Sequence, residues 1–442
     1  MTMRVAVIGG GWAGLACAVE LARAEIPVEV FESARELGGR ARVVEKDGWR
    51  VDNGQHILIG AYEQTLGLMR LLGLSPKRLQ SSPFYLHIPG QLDLAAPALP
   101  APFHLAAALF HAKGLAWSDC VAAARLLRSL KRCAFRLGED YSVTALLQLT
   151  AQTEKLCRLI WEPLCLATLN TPAERASAQV FANVLRDSLA SSASASELLL
   201  PRVDLTELLP TPASLYLLRR GHTVHFSTRI RSIRPEGERF WLDGAPGEAL
   251  FSHVVIATAP WQVAALTAEF SELARLREQL GALSHEAITT VYLRYEPALR
   301  MPKPMIGLDG RFLQWVFDRG QLGGPEGLLA GVVSAADTKL PRQEAALRAH
   351  RDIEHLFADR GRHLPAPIWS QVITEKRAGF AATPGLSRPI ALTPVRRLLL
   401  AGDYVASDYP ATLEGAVRSG LNAAKTVMRG EGISPPPRYS IT

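Results

Sequence analysis

A glycine-rich break between a buried strand and a helix, close to the start of the chain, constrains the fold more than any other feature. The apolar run at residues 4–8 predicts a fully buried strand, and the Ala- and Leu-rich stretch at 15–24 predicts a helix. A second strand is predicted at 28–31 and is followed directly by Glu32. This strand–helix–strand order, with an acidic residue about 20 residues after the glycines, is typical of a nucleotide-binding unit in a doubly wound parallel sheet.

Three glycines in the break have the G-x-G-x-x-G spacing of a dinucleotide fingerprint. Gly9 permits a tight turn, Gly11 lets the backbone approach a pyrophosphate, and Gly14 lets the helix pack closely on the strand. The helix N-terminus offers N–H groups and a partial positive charge to the phosphates. The Glu32 carboxylate is expected to accept hydrogen bonds from ribose hydroxyls. The sequence therefore predicts a dinucleotide site.

Composition bounds the number of domains, the kinds of partner and the cellular compartment. The chain has 442 residues, 48% of them hydrophobic, which suffices for two domains with a large core. A net charge of +7 permits an anionic partner, but the basic residues form no long block, so we expect no nucleic-acid binding. Five cysteines without a C-x-x-C predict neither a disulfide framework nor a metal site. Because no signal peptide or membrane span is visible, we expect a cytoplasmic protein.

A second glycine motif distinguishes the expected cofactor from NAD. Gly38, Gly39 and Arg40 follow the second strand, where a plain NAD site needs no such motif. The planar fork of Arg40 suits phosphate oxygens. The motif resembles that of FAD-dependent amine oxidases and phytoene-type desaturases, in which the glycines and the arginine lie along the FAD pyrophosphate.

A third motif lies near the other end of the chain. Gly402 and Asp403 follow an apolar strand, and a helix is predicted to open at Thr412 and Leu413. In the same families this segment closes over the ribitol chain, the Asp binds a ribitol or phosphate oxygen, and the helix N-terminus faces the flavin. A weaker match implies that Ile230 contacts the adenine through its backbone. The residues expected to bind FAD are thus Gly9, Gly11, Gly14, Glu32, Gly38, Gly39, Arg40, Ile230, Gly402, Asp403, Thr412 and Leu413.

Because the three motifs lie far apart in the sequence, the nucleotide domain is predicted to be discontinuous. We expect an α/β fold in which a mostly helical substrate-binding domain is inserted into a Rossmann-like FAD-binding domain, as in amine oxidases and phytoene desaturases. The predicted bounds are 1–84, 215–285 and 390–430 for the FAD-binding domain, 85–214 and 286–389 for the substrate-binding domain, and 431–442 for a loose tail.

Short blocks make the resemblance more specific. They are DNGQH at 52–56, WEPLC at 161–165 with NTP at 170–172, LLLPR at 198–202, and EKRA at 375–378. Over nearly its whole length the chain resembles the squalene-associated FAD-dependent desaturases, better described as hydroxysqualene dehydroxylases. The resemblance implies a role in squalene and hopanoid synthesis, in which partner synthases supply hydroxysqualene and this enzyme removes the hydroxyl reductively. A long apolar isoprenoid is then the expected substrate.

The reaction implied by this family needs a flavin whose N5 delivers hydride to the allylic carbon, a dry apolar tunnel and a proton donor. His56 is the first candidate donor, because an imidazolium is available near neutral pH. Glu162 is the second, because burial among apolar residues would raise its pKa and keep it protonated. The structural alternatives are a histidine bonded to a backbone carbonyl and a carboxylate in an ion pair or at a helix end. An external electron donor has to reduce the flavin, either NAD(P)H that binds transiently or a separate reductase.

Two enzyme alternatives and one non-enzymatic alternative stay open. A carotenoid- or phytoene-type desaturase would share the long apolar substrate, and the sequence does not set the direction of hydride transfer. An amine oxidase is disfavoured because the strand predicted at 287–295 contains no lysine and Thr412 stands where those enzymes place an aromatic residue. A non-catalytic flavoprotein that presents polyprenyl lipids would not need every FAD contact.

Membrane association is expected on physical grounds, because a long isoprenoid hardly dissolves in water. We expect a peripheral protein at the inner face of the membrane. Between 123 and 137 the apolar residues fall on one arc of a predicted helix, which could lie on an anionic membrane or simply expose a solvated basic face. The apolar stretch at 91–117 is expected either to line an entrance or to belong to the core. The arginines on the opposite arc of the helix are Arg125, Arg128, Arg132 and Arg136.

Overall fold

The computed structural model describes residues 3–190, 192–358, 361, 363–437 and 439. Its strands, in chain order, are β1 (Val5–Ile8), β2 (Val28–Phe31), β3 (Val43–Lys46), β4 (Trp49–Asp52), β5 (Leu58–Ile59), β6 (Leu79–Ser82), β7 (Tyr85–Ile88), β8 (Leu92–Ala95), β9 (Leu198–Pro201), β10 (Thr223–His225), β11 (Ser232–Glu236), β12 (Arg239–Asp243), β13 (Leu250–Phe251), β14 (His253–Ile256), β15 (His285–Arg294), β16 (Met305–Gly307), β17 (Trp315–Asp318), β18 (Leu328–Ser334), β19 (Trp369–Phe380) and β20 (Leu398–Leu400). Its α-helices are α1 (Trp12–Arg23), α2 (Glu63–Leu71), α3 (Phe103–Phe110), α4 (Trp117–Arg132), α5 (Val143–Leu149), α6 (Glu154–Leu156), α7 (Glu162–Leu169), α8 (Ala178–Leu185), α9 (Leu205–Leu208), α10 (Pro210–Arg219), α11 (Pro260–Leu266), α12 (Ala274–Gly281), α13 (Arg342–Ala358) and α14 (Leu413–Gly430).

A five-stranded parallel sheet, in the order β10-β2-β1-β14-β20, forms the centre of the nucleotide-binding half. Successive side chains of a strand point to opposite faces, so Val5 and Val7 of β1 pack against α1 and α14. Ala6 and Ile8 pack on the other face, in the core shared with β11, β12 and β13. The carboxyl ends of the parallel strands meet at one edge, which is where doubly wound folds bind ligands.

Two glycines allow the helices to lie directly on this sheet and on each other. A Cβ atom on Gly14 would lie 2.0 Å from the carbonyl oxygen of Gly9. A Cβ atom on Gly420 of α14 would lie 2.0 Å from the carbonyl oxygen of Ala13 in α1. Backbone therefore packs against backbone at both positions, and no larger residue fits without moving an element.

A second five-stranded sheet, in the order β16-β17-β18-β15-β19, is antiparallel. The strand predicted at 287–295 lies in β15, but the rest of this sheet went unpredicted because residues 286–389 were expected to be mostly helical. Val291 and Leu293 face the core under α13, whereas Tyr292 faces the opposite core. The strands are paired across long stretches of chain, and local periodicity carries little information about such pairing.

The segment at 103–190 is largely helical, as expected, while β7 and β8 form a hairpin ahead of it. The helix predicted to reach residue 137 ends at Arg132. Its end follows from the left-handed backbone of Ala134 and Phe135, whose φ angles are 49° and 57°. In the part of the chain that the structure describes, every helix is too short or too polar to cross a bilayer.

Within the segment expected to be a loose tail, 431–442, the side chain of Tyr439 contacts α1. Its hydroxyl lies 3.1 Å from a carboxylate oxygen of Glu20, and the Arg23 guanidinium lies 4.9 Å from the centre of its ring. An aromatic side chain near a chain end supplies enough contact area to hold the backbone in place. Residues 438 and 440–442 lie outside the described residues.

Candidate active site

A cleft of about 870 Å³ opens at the carboxyl edge of the parallel sheet. Its volume lies within the range of roughly 300–1,000 Å³ that is usual for ligand and cofactor sites. All but one of the residues predicted to bind the cofactor line it, and Gly14 lies beneath the turn at its floor. The lining residues from that set are Gly9, Gly11, Glu32, Gly38, Gly39, Arg40, Ile230, Gly402, Asp403, Thr412 and Leu413.

The floor of the cleft is made of backbone from two glycine loops. Gly9 has φ +114°, and a Cβ atom there would lie 2.6 Å from the carbonyl oxygen of Ala257. The N–H of Gly38 donates to the carbonyl of Gly10 at 2.9 Å, which joins the second loop to the first. A Cβ atom on Gly11 would meet open space, its nearest neighbour lying 3.9 Å away. A ligand can therefore approach the backbone at Gly11 more closely than it could approach a residue that carries a side chain.

Glu32 lies at the end of β2, where its carboxylate is held by backbone. The N–H of Gly10 donates to Oε2 at 2.8 Å, and the N–H of Ala34 donates to Oε1 at 2.7 Å. Oε1 also accepts a hydrogen bond from the Ser33 hydroxyl at 3.3 Å, whereas Oε2 keeps a second acceptor position. A fixed, cleft-lining carboxylate of this kind can accept hydrogen bonds from ligand hydroxyls.

Arg40 joins three segments of the chain at the centre of the cleft. Its guanidinium lies 2.6 Å from a carboxylate oxygen of Asp403, and it donates to the carbonyl of Ala378 at 2.7 Å. Burial by itself would lower the pKa of Arg40, but the charge of Asp403 raises it, so the guanidinium stays charged. Its remaining N–H groups can donate to ligand oxygens.

The N-terminus of α14 forms another wall. The hydroxyl of Thr412 accepts a hydrogen bond from the N–H of Gly415 at 3.1 Å, which caps the helix. Thr412 and Leu413 both line the cleft, so the positive end of the α14 dipole faces it. The N–H of Gly402 donates to the hydroxyl of Ser419 at 3.0 Å and thereby ties the end of β20 to the same helix.

His56 lines the cleft as an uncharged ring. Its Nδ1 lies 3.0 Å from the carbonyl oxygen of Gly54, so Nδ1 carries the proton and Nε2 of the neutral ring is an acceptor. Burial lowers the pKa of His56, and the charge of Arg40 lowers it further. The imidazolium expected from the sequence is therefore disfavoured near neutral pH. The ring makes the hydrogen bond to a backbone carbonyl that the structural alternative predicts.

Glu162, the second candidate donor, does not line the cleft. It is exposed at the first position of α7. Partial burial and the neighbouring carboxylate of Glu174 raise its pKa, which is the direction expected from the sequence. The structure nevertheless does not bring it together with His56, because α7 directs Cys165 and Leu169, rather than Glu162, into the core.

The first and the last of the family blocks meet beside the cleft. The side-chain amide of Asn53 donates to the carbonyl of Arg40 at 3.1 Å and to a carboxylate oxygen of Glu375 at 3.4 Å. Ala378, in the same block as Glu375, accepts the hydrogen bond from Arg40 described above. These two blocks therefore support the arginine at the cleft.

The block at 170–172 does not line the cleft. Asn170 accepts a hydrogen bond from the N–H of Ala335 at 2.9 Å, and the Thr171 hydroxyl accepts one from the N–H of Ala382 at 3.1 Å. Both contacts fasten the helical insert to the chain that leads into and out of the antiparallel sheet.

Asp52 begins a buried polar network beneath His56. Its Oδ1 accepts a hydrogen bond from the N–H of Leu205 at 2.8 Å, and its carbonyl accepts one from the Tyr292 hydroxyl at 2.8 Å. Gln55 donates to the same hydroxyl at 2.8 Å. Burial raises the pKa of Asp52 to about 6, although the charge of Arg319 opposes the shift. Sequence reasoning missed Gln55 and Tyr292, since nothing local indicates that they are neighbours.

Trp261 is a second residue that sequence reasoning missed. It lines the cleft, its ring makes an edge contact with His285 at 5.2 Å, and the Arg377 guanidinium lies 4.7 Å from the ring centre. A usable signal existed, because Trp261 follows a predicted strand at the edge where ligands bind.

The cleft fits a flavin dinucleotide by its chemistry. It combines side-chain-free backbone at Gly11 and Gly39, the N-termini of two helices, a charged guanidinium and a fixed carboxylate. Backbone N–H groups and Arg40 suit a pyrophosphate, and Glu32 suits a ribose.

Comparisons with known proteins agree with this geometry. The model of the flavin containing amine oxidoreductase family matches residues 12–428. A hydroxysqualene dehydroxylase from Sinorhizobium fredii is 29% identical over 439 residues, which cover 96% of this chain and 98% of that protein. A zeta-carotene desaturase from Synechocystis sp. is 24% identical over 495 residues, covering 97% of this chain and 98% of that protein. The crystal structure of an oxidoreductase from Methanosarcina mazei superposes with a TM-score of 0.74 at 17% identity, covering 97% of this chain and all of that one.

The family match extends over most of the chain. The predicted α/β fold with a Rossmann-like FAD-binding domain, the FAD cofactor and the oxidoreductase class are confirmed. The chain therefore belongs to the family of flavin-containing amine oxidoreductases.

Proposed function

We propose that the protein is an FAD-dependent hydroxysqualene dehydroxylase, which removes the allylic hydroxyl of hydroxysqualene reductively and releases squalene. The observation that carries the proposal is the similarity to hydroxysqualene dehydroxylase over nearly the whole chain, which exceeds the similarity to zeta-carotene desaturase. The meeting of Asn53 and Glu375 beside the cleft supports it, because both belong to sequence blocks typical of that family.

Reduced FAD, when bound, supplies the hydride that replaces the hydroxyl at the allylic carbon. The hydroxyl leaves as water, so the protein must also deliver one proton. The glycine loops, Glu32 and Arg40 would hold the dinucleotide, and Trp261 would close part of the wall, since all of them line the cleft. An external reductant has to restore the electrons after each turnover.

His56 is better placed than Glu162 to handle the proton, because it lines the cleft and Glu162 does not. Its Nδ1 is occupied by the Gly54 carbonyl, so the transferable proton belongs on Nε2. Since burial lowers the pKa of the ring, the protonated form is a strong acid for a histidine and gives up its proton readily. Gln55, through Tyr292, fixes the backbone just ahead of the ring.

The protein acts as a peripheral enzyme at the cytoplasmic face of the membrane, because its isoprenoid substrate partitions into the bilayer. Its substrate comes from the synthases upstream in squalene formation. The low solubility of a long isoprenoid supports the membrane location, and the names of the relatives support the substrate.

Product analysis tests the proposal. The flavin-loaded protein is kept reduced by dithionite without oxygen and supplied with hydroxysqualene in detergent micelles, and the lipids are then extracted for mass analysis. We expect squalene in amounts that greatly exceed the enzyme. Intact hydroxysqualene would contradict the proposal.

The second candidate function is a carotenoid-type desaturase, which the similarity to zeta-carotene desaturase favours. Its test uses the oxidised flavoprotein with a polyene hydrocarbon, and a new double bond in the product would establish it. An amine oxidase is disfavoured, because the residues of β15 include no lysine and Thr412 caps α14 instead of supplying an aromatic wall.

A further inference from the structure

Three large aromatic side chains are exposed together at one end of the helical insert. Phe103 and Phe110, at the two ends of α3, are each 63% exposed, and Trp117, the first residue of α4, is 69% exposed. The rings of Phe110 and Trp117 make an edge contact at 5.9 Å. Leu99 and Val121 extend the same surface. A cluster of this kind is costly in water and marks a site of interaction. We call these five residues the aromatic patch.

The surroundings of the aromatic patch are basic. Between residues 95 and 138 the chain contains one acidic residue, Asp119, and it is buried, with hydrogen bonds to the N–H of Ala116 at 2.8 Å and the Thr153 hydroxyl at 2.6 Å. Six basic side chains in the same segment are exposed, and none of them forms an ion pair with any residue that the structure describes. They are Lys113, Arg125, Arg128, Lys131, Arg132 and Arg136.

The helical geometry of α4 places the two chemistries on one face. Trp117, Val121, Arg125, Arg128 and Arg132 follow one another at intervals of three or four residues, so they form a stripe along the helix. The stripe begins with Trp117 and Val121 and continues with Arg125, Arg128 and Arg132, and we call these three arginines the basic stripe. The opposite side of α4 is buried in the core.

We propose that the aromatic patch and the basic stripe dock the protein on an anionic lipid bilayer. Aromatic rings at the interface and cations at the level of the lipid phosphates are the combination that holds peripheral helices on such surfaces. Within 95–138 the exposed side chains include six cations without an ion-pair partner among the described residues and no carboxylate, so this segment complements an anionic lipid surface without needing a folded protein partner. The docking does not depend on which substrate the enzyme uses.

The inner side of α3 leads toward the cleft. His104 of α3 lies 3.3 Å from the hydroxyl of Ser196, and the residue before it, Ala195, accepts a hydrogen bond from the N–H of Ala61 at 2.9 Å. Ala61 closely follows β5, which begins two residues after His56. These contacts join α3 to the segment that follows His56.

Vesicle flotation of the holoprotein tests the docking surface. The vesicles consist of phosphatidylcholine with or without phosphatidylglycerol, at an ionic strength of about 0.15 M. We expect binding to the anionic vesicles, and a triple variant with Phe103→Ser, Phe110→Ser and Trp117→Ser to lose about tenfold or more in partition coefficient. Since these side chains are already in water, bound flavin and the melting temperature stay at their wild-type values. Should the triple variant lose flavin, the single variants Phe103→Ser and Phe110→Ser provide the same comparison.

A matched control changes exposed aliphatic side chains elsewhere in the fold. The variant with Leu218→Ser, Leu347→Ser and Ile368→Ser removes as many exposed apolar groups from α10, α13 and the chain ahead of β19. It should bind vesicles like the wild type. An equal loss of binding in this control, or none in the aromatic variant, would overturn the proposal.

Charge variants test the basic stripe separately. Replacing Arg128 and Arg132 by Gln should reduce binding to anionic vesicles about tenfold or more and leave the weak binding to neutral vesicles unchanged. The control variant with Lys77→Gln and Arg342→Gln, two exposed positions outside α3 and α4, should keep both kinds of binding.

Two further outcomes count against the proposal. Wild-type holoprotein that stays unbound at every lipid composition would refute the docking, whether or not the enzyme converts micellar hydroxysqualene to squalene. A protein that is dimeric in solution, fails to bind vesicles and becomes monomeric in the aromatic variant would make the patch a protein interface instead. Conversely, vesicle binding by a protein without dehydroxylase activity would leave the docking in place and count against the proposed function alone.

Discussion

The guanidinium of Arg40 lies 2.6 Å from the carboxylate of Asp403, although 363 positions of the chain separate the two residues. Each belongs to a different glycine motif, and both line the cleft. The ion pair therefore fastens the second glycine loop to the end of β20. Since the Arg40 guanidinium also binds the carbonyl of Ala378, the parallel sheet, the glycine loop and β19 share one anchor.

We expect Arg40→Gln and Asp403→Asn each to weaken flavin binding about tenfold to a hundredfold. Each change leaves the remaining member of the ion pair without an opposite charge to balance it. Arg40→Lys should restore binding only partly, since an ammonium cannot reproduce the planar fork. Flavin release followed by fluorescence measures the dissociation constants. The losses in the double variant should be smaller than the sum of the single losses, and strictly additive losses would show that the pair does not act as a unit.

Two glycine-to-alanine changes separate binding from folding. Gly11→Ala places a methyl group in open space in the cleft, so we expect a loss of flavin binding and, for the flavin-free protein, the wild-type melting temperature. Gly14→Ala places it 2.0 Å from the carbonyl of Gly9, so we expect destabilisation by about 3 kcal/mol or more. Thermal unfolding and flavin content report both effects. Normal flavin content in Gly11→Ala would mean that the ligand does not approach this backbone.

A proton donor at His56 makes a definite prediction for pH dependence. The donor acts in its protonated form, and burial lowers its pKa below the usual value of about 6.5. The rate constant kcat/KM should therefore rise as the pH falls through that range. The His56→Gln variant should keep its flavin and react about a hundredfold more slowly, and its kcat/KM should no longer rise as the pH falls. The exposed His111 supplies the control, and His111→Gln should behave like the wild type. A pH profile unaltered in His56→Gln would assign the proton to another group.

Asp52 makes the stability of the protein depend on pH. The carboxyl ionises near pH 4 in the unfolded chain and near pH 6 in the folded protein, so the folded state binds more protons between these values. Stability therefore falls as the pH rises through this window. Relative to Asp52→Asn, the wild type should lose about 2 kcal/mol between pH 4 and pH 7. Thermal unfolding of both proteins across this range checks it, and parallel curves would contradict the raised pKa.

The sequence predicts the nucleotide-binding elements well because their signals are local. A fully buried strand reads as a continuous apolar run, and the glycines mark where β1 ends and α1 begins. The same reasoning predicts β20 just before Gly402 and the start of α14 directly after Thr412. The cofactor class follows from motifs that are each complete within a few residues.

The antiparallel sheet and the details of the candidate site depend on contacts between residues that are distant in the sequence, and local patterns do not encode such contacts. The antiparallel sheet around β15 is set by pairing with β18 and β19, and the Arg40–Asp403 pair joins the two ends of the chain. Composition indicated that Glu162 has apolar neighbours but not that the helix turns it outward. The ionisation of His56 likewise depends on burial in the assembled cleft, which no sequence window reveals.

The direction of hydride transfer is the central claim, and a single-turnover experiment tests it most directly. The flavin-loaded protein is photoreduced without oxygen and mixed with hydroxysqualene, and the flavin absorbance and the extracted lipid are followed together. The account predicts that oxidised flavin returns in step with squalene, one molecule for each flavin. Flavin that stays reduced while the alcohol survives would contradict it.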